Sequence, residues 1–184
     1  MAPAELVAVG FGLAYILLAI REQRACWIAG GISTAIFAGV FLHAGLPLQA
    51  ALQLVYVAMS AWGYHAWRRD AAAAAPVRRW SVPRHLLALA GVGLATAASA
   101  PLAARYALAA APVADSLGTW ASLVATWLLA RRVVDTWLWW IAIDTGLAGL
   151  FYSQGLVATA ALYLAFGLLA AAGWRSWRKR MPAP

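Results

Sequence analysis

A single cysteine, Cys26, stands in this chain of 184 residues. No intrachain disulfide can form, and no zinc site can be assembled from thiolates. Charge is scarce as well: Asp, Glu, Lys and Arg make up 11% of the chain, and only six residues are acidic. With 65% hydrophobic residues, a soluble domain of this length lacks the interior to hide its apolar surface, which excludes a water-soluble globule. The three histidines, His43, His65 and His85, show no metal-ligand spacing. Phosphate-cradling glycine loops, nucleophile–base pairs and carboxylates at catalytic spacing are also missing. The sequence therefore predicts no enzyme chemistry, no cofactor, no metal site and no ATP-driven pump.

What the chain has instead is apolar length. Seven segments stand out, at 5–20, 27–43, 46–67, 85–108, 115–130, 137–153 and 156–177. Each approaches the ~20 residues of a membrane-spanning helix. The first lacks a basic leader, carries Glu5, and runs into Arg21-Glu22-Gln23-Arg24 with no small-residue cleavage site, so it reads as a retained helix. His43-Ala44-Gly45 and Ser153-Gln154-Gly155 are connections so short that they impose antiparallel hairpins. In the fourth segment Pro101 and Arg105 interrupt the C-terminal end. The net charge of +8 sits in short clusters between the segments, which suits lipid headgroups rather than nucleic acid. With seven spans, 13 of the 14 Lys and Arg fall on one side, leaving Arg105 alone on the other. The expected topology has the N-terminus outside and the C-terminus cytoplasmic.

A shift of 110 residues superposes 5–69 on 115–179 without a gap, with 17 of 65 positions identical. Arg21 meets Arg131, Trp27 meets Trp137, Gly39 meets Gly149, Gly45-Leu46 meets Gly155-Leu156, Gly63 meets Gly173, and Trp67-Arg68 meets Trp177-Arg178. The expected architecture is an all-α membrane protein of two parallel three-helix bundles joined by a linker helix. The bundles cover 5–69 and 115–179, and residues 70–114 form the linker with the fourth transmembrane helix.

Candidate ligand contacts follow from polarity inside these spans. Asp144 is a carboxylate two turns into the sixth segment, where it is costly unless it faces a wet cavity or a partner; the alternative is a structural hydrogen bond to a neighbouring helix. Trp137, Trp140 and Asp144 share one helix face, a combination suited to a planar cation. Trp137 and its mate Trp27 read equally well as belt residues at the membrane edge. Trp140 stands opposite Gly30 in the repeat and Asp144 opposite Thr34, so one half is expected to supply ring and charge, the other room and hydroxyls. Gln49, Gln53, Tyr56 and Ser60 form a polar stripe on the third segment, matched by Thr159, Tyr163 and Phe166 on the seventh. Gln53 and Tyr163 are open to two readings, helix packing or ligand contact. Trp62, Trp67, Trp80, Trp174 and Trp177, beside the arginines, are expected at the membrane interface.

Cys26-Trp27, Gly30, Ser33, the run Leu52-Gln53-Leu54-Val55-Tyr56, Gly63-Tyr64-His65-Ala66-Trp67, and Trp137-Leu138-Trp139-Trp140 with Asp144 together resemble the PnuC family of bacterial vitamin transporters. The resemblance spans residues 5–178 and implies a fold similar to the SWEET sugar transporters, with a 3+1+3 helix arrangement. It implies facilitated uptake of nicotinamide riboside across the inner membrane. Trp137 and Trp140 would stack the pyridinium, Asp144 would balance its charge or bond the ribose, and Gln53 and Tyr163, with Tyr56, Thr34 and Trp27 around them, would orient it. Some members of the family carry Asn where this chain has Asp144. The related PnuT group carries thiamine, also a planar cation, and a membrane adaptor without transport is the alternative from another class. The partners expected are this small vitamin and membrane lipids, without nucleic acid; the helices are also compatible with a homo-oligomer.

Overall fold

The computed structural model describes residues 3–44, 47–72, 76–106, 111–153, 155 and 157–181. Seven helices lie within them: α1 (Pro3–Ile20), α2 (Ala25–His43), α3 (Pro47–Ala72), α4 (Val82–Arg105), α5 (Pro112–Ala130), α6 (Thr136–Ser153) and α7 (Val157–Arg178). They match the seven apolar segments in order and number. Gly45-Leu46, Gln154, Leu156, the linker residues 73–75 and the expected end of the fourth segment at 107–108 lie outside the described residues. Helix α4 runs through Pro101 to Arg105, so the proline does not end it. Among the described residues α1, α2, α4 and α5 are each long and apolar enough to cross a bilayer. Helix α3 is less apolar than these because it carries Gln49 and Gln53 and, near its end, Arg68, Arg69 and Asp70.

The chain divides into two compact units. The first contains α1–α3 together with residues 130–132 and the chain from Arg175 onward. Helix α2 packs against both α1 and α3. The Ser33 hydroxyl donates to the Ala8 carbonyl across 2.7 Å, and Gly12 lets α1 approach that hydroxyl. Trp27 lies flat on Gly63, where an added methyl would come within 2.5 Å of the indole. Helix association inside a bilayer has little hydrophobic driving force, so close contacts of this kind carry the packing.

The second unit, Arg78–Leu129 and Val133–Trp174, repeats the design. Trp137 lies on Gly173, again with only 2.5 Å for an added methyl, and the Thr136 hydroxyl donates to the Ala125 carbonyl at 2.7 Å. Burial follows the repeat: Cys26 and Thr136, Trp27 and Trp137, Ala38 and Ala148, Ala50 and Ala160, and Trp67 and Trp177 are all buried pairs 110 residues apart.

The turns repeat too. Glu22 and Arg132, mates in the repeat, both adopt left-handed backbone, with φ of 57° and 54°. Behind each, the next amide reaches back to a helix carbonyl: Gln23 to Leu18 at 2.9 Å and Val133 to Leu128 at 3.0 Å. This is the Schellman ending, in which glycine is usual, and a side chain there costs about 1 kcal/mol. Interactions in the first unit offset that cost. The Glu22 carboxylate accepts from Arg180 at 2.9 Å and lies 3.9 Å from Arg132, whose guanidinium covers the Trp67 ring at 5.0 Å.

Trp67 and Trp177 correct the sequence reading. Both are buried rather than interfacial, their rings 5.9 Å apart, and the Trp177 indole donates to the Ala19 carbonyl. Residues beside arginines at helix ends look like belt residues in a sequence. Here they are core because their mates in the repeat pack on each other.

Candidate functional site

Helix α6 presents two distinct faces. On one, Trp140 and Asp144 stand a turn apart. Asp144 is only 5% exposed, and no described residue gives its carboxylate a hydrogen bond or an ion pair. The reading of Asp144 as a structural hydrogen bond to a neighbouring helix thus has no partner among the described residues. Across from it on α7, Gly167 leaves room for the Asp144 and Thr145 side chains, with 3.8 Å from an added methyl to the Asp144 Cβ. Tyr163, one turn before Gly167, lies within electrostatic range of Asp144. Its ring is fixed between Phe151, at 5.2 Å, and Phe166, at 6.0 Å. The second unit therefore brings Asp144 and Tyr163 together beside an aromatic cluster. Trp140 is half-buried and stacks on no described ring, which leaves its indole available.

Trp137 shares their stripe but is spent on structure: it is buried and its ring lies on the Gly173 backbone. Trp27 does the same on Gly63 and meets Tyr15 and Trp67 edge-on. The buried Trp27 indole N–H has no acceptor among the described residues, so packing alone sets its position. The paired Trp and Gly positions were visible in the repeat and were the signal for these contacts.

The first unit holds the other candidates. The Thr34 hydroxyl faces the Gly30 and Gly31 carbonyls of its own helix, at 3.0 and 3.2 Å, so its proton is taken locally. Gln53 is half-buried and makes no hydrogen bond among the described residues. Tyr56 is half-buried and lies within electrostatic range of Tyr15. The room expected at Gly30 is filled by Tyr15, whose ring would be 2.9 Å from a methyl there. Tyr15 and Gly30 have Ala125 and Trp140 as mates, so the two halves exchange which helix supplies the bulky ring.

Asp135 escaped the sequence reading. It stands opposite Ala25 in the repeat and is buried at the start of α6. Its carboxylate accepts from the Trp80 amide at 2.9 Å and lies 3.6 Å from Arg79 and 3.3 Å from His85. The Arg78 carbonyl accepts from the Val134 amide beside it. This failure of the repeat anchors the linker, which only the first half needs at its end.

Residues 2–179 match the family model described as nicotinamide mononucleotide transporter. Among curated proteins, the nicotinamide riboside transporter PnuC of Escherichia coli (strain K12) is 27% identical, covering 94% of this chain and 84% of that one. The riboflavin/roseoflavin transporter RibM of Streptomyces davaonensis is 28% identical, with 95% and 84% covered. A crystal structure of the vitamin B3 transporter PnuC superposes with a TM-score of 0.73 at 20% identity, over 97% of this chain and 83% of that one. That likeness shows a shared fold.

Proposed function

The chain belongs to the nicotinamide mononucleotide transporter family, a multi-pass membrane transporter, and we propose that its cargo is the unphosphorylated pyridinium nucleoside, nicotinamide riboside. One observation carries the reading: a buried carboxylate, Asp144, with no ion-pair partner among the described residues, a turn from the half-buried Trp140 and close to Tyr163. A fixed negative charge beside aromatic faces favours a flat cation through Coulomb and cation–π attraction. It disfavours a phosphorylated nucleotide, because a phosphate would meet a carboxylate and no Lys or Arg lies on α6 at all. Riboflavin, which is uncharged, gains nothing from Asp144. Trp140 stacks the pyridinium, Asp144 balances its charge, and Tyr163 supplies a hydrogen bond to the ribose or amide. No nucleotide-binding motif is present to power a cycle, which fits facilitated diffusion completed by whatever reaction consumes the nucleoside inside.

Uptake into proteoliposomes tests the cargo. Labelled nicotinamide riboside is expected to enter, with excess unlabelled compound blocking it, thiamine, also a planar cation, blocking it only at higher concentration, and excess nicotinamide mononucleotide or riboflavin leaving it unchanged. Block by thiamine at a lower concentration overturns the assignment in favour of that cation. Failure of every compound to enter favours a membrane adaptor. Binding is also expected to quench tryptophan fluorescence, and Trp140→Phe to remove most of that quench while the other ten tryptophans remain.

The charge distribution supports a topology with the N-terminus outside and the C-terminus in the cytoplasm of the inner membrane. In the first unit, Arg180 bonds to the Arg21 carbonyl and to Glu22, so the α1–α2 turn and the end of α7 occupy one end. In the second, Arg78 and Arg79 meet the start of α6. A fluorescent protein fused after the C-terminus is expected to fold and fluoresce, and a periplasmic phosphatase fused there to stay inactive. The reverse pattern overturns the orientation.

A further inference from the structure

The other face of α6 borders a cavity of about 560 Å³ between α4, α5 and α6. Its stripe, Trp139, Ile143 and Leu150, lies about 100° around the helix from Trp140 and Asp144, neither of which lines the cavity, and Leu147 forms the edge between the two faces. Leu89 of α4 and Leu117 of α5 complete walls that are apolar nearly throughout. From Trp139 to Leu150 the cleft runs ~16 Å along α6. That is about the depth of one leaflet of a ~30 Å hydrocarbon core. Leu89, Leu117 and Leu138 along it are each more than 40% exposed, so it opens sideways.

One end is polar and positive. The Trp139 indole donates to His85 Nδ1 at 3.2 Å, and His85 Nε2 lies 3.3 Å from Asp135. Arg84 precedes His85 in the chain, and Arg78 and Arg79 run beside Val134 and Asp135; all three arginines are exposed. Asp135 engages Arg79 at 3.6 Å, while no described residue pairs with the Arg84 side chain. Three arginines against one buried carboxylate leave the mouth positive. We infer that this cleft is a binding site for one anionic phospholipid of the surrounding bilayer: an acyl chain lies along α6, and the phosphate sits on Arg79 and Arg84 beside the Trp139–His85 pair. A long apolar slot with a cationic mouth at the depth of the headgroups is complementary to that molecule in both parts. A second copy of this chain would have to bring its own anionic group to the arginines.

Native mass spectrometry of the intact protein, released from micelles supplemented with either phosphatidylglycerol or phosphatidylcholine, tests the site. One phosphatidylglycerol is expected to stay bound about 30-fold more tightly than phosphatidylcholine, about fivefold per arginine. Arg84→Gln should cut that preference about fivefold and leave thermal unfolding of the lipid-free protein unchanged. Ile143→Trp, which fills the slot, should abolish retention of both lipids. Equal retention of the two lipids, or a preference untouched by Arg84→Gln, overturns the proposal. So does a dimer that Ile143→Trp dissociates, since the cleft would then be an interface between copies.

Discussion

Replacing Asp144 with Ala is expected to weaken nicotinamide riboside binding about a hundredfold while making the empty protein more stable. The two effects have one origin. A carboxylate at 5% exposure inside a transmembrane helix is an expense that no described residue relieves. Removing it strands no hydrogen-bond partner and lets the bundle close over Gly167, so stability rises by about 2 kcal/mol. The same removal takes from the cargo a charge-assisted contact of about 3 kcal/mol, or roughly two decades in affinity. Asp144→Asn separates the parts. It keeps a hydrogen-bonding group and loses the charge, so discrimination for the pyridinium cation over a neutral analogue should fall more than ribose recognition does. Isothermal titration and thermal unfolding of the same samples check both signs. A variant that binds normally removes Asp144 from the site. One that binds poorly only because it unfolds assigns the carboxylate a structural role.

A methyl group added at Gly173 should be the most damaging small change in the second unit. Gly173→Ala places a carbon 2.5 Å from Trp137 ring atoms, a full ångström inside contact distance, and the obstacle is an indole core rather than a flexible tip. Overpacking of this kind costs about 3 kcal/mol. Gly63→Ala should behave alike against Trp27, again at 2.5 Å. Gly149→Ala is the control: nothing lies within 4 Å, and alanine there should stabilise α6 by up to about 1 kcal/mol. Replacing Trp137 with Leu in the Gly173→Ala background should restore much of the loss, a non-additivity that a double-mutant cycle in detergent reads directly. Equal stability of Gly173→Ala and Gly149→Ala would remove the Trp–Gly contact from the account of the fold.

The helices were legible because a bilayer makes apolar length itself the signal, and the repeat because matched Trp, Gly and Arg are hard to produce by shared composition. What the alignment could not show is what stands opposite each residue. Trp67 and Trp177 have belt-like neighbours in sequence, and only the packing of one on the other explains their burial. Gly30 read as vacancy, yet Tyr15 from α1 fills it. Asp135 gave no signal because its partners, Arg79, Trp80 and His85, lie about 50 residues away in a segment without periodicity. Breaks in the repeat were read as marks of the ligand. Asp144 keeps that reading as a proposal, Trp140 shares it with an exchange of ring volume, and Asp135 serves the linker.

The left-handed turns carry a last implication. Equivalent positions of the two repeats hold a glutamate and an arginine, 3.9 Å apart and of opposite sign. Two copies of the first repeat, related in the same way, would bring Glu22 against Glu22; two copies of the second would bring Arg132 against Arg132. Like charges at that spacing repel, and only one repeat of each kind satisfies both. The two turns have thus become unlike partners, neither able to serve in the other's place.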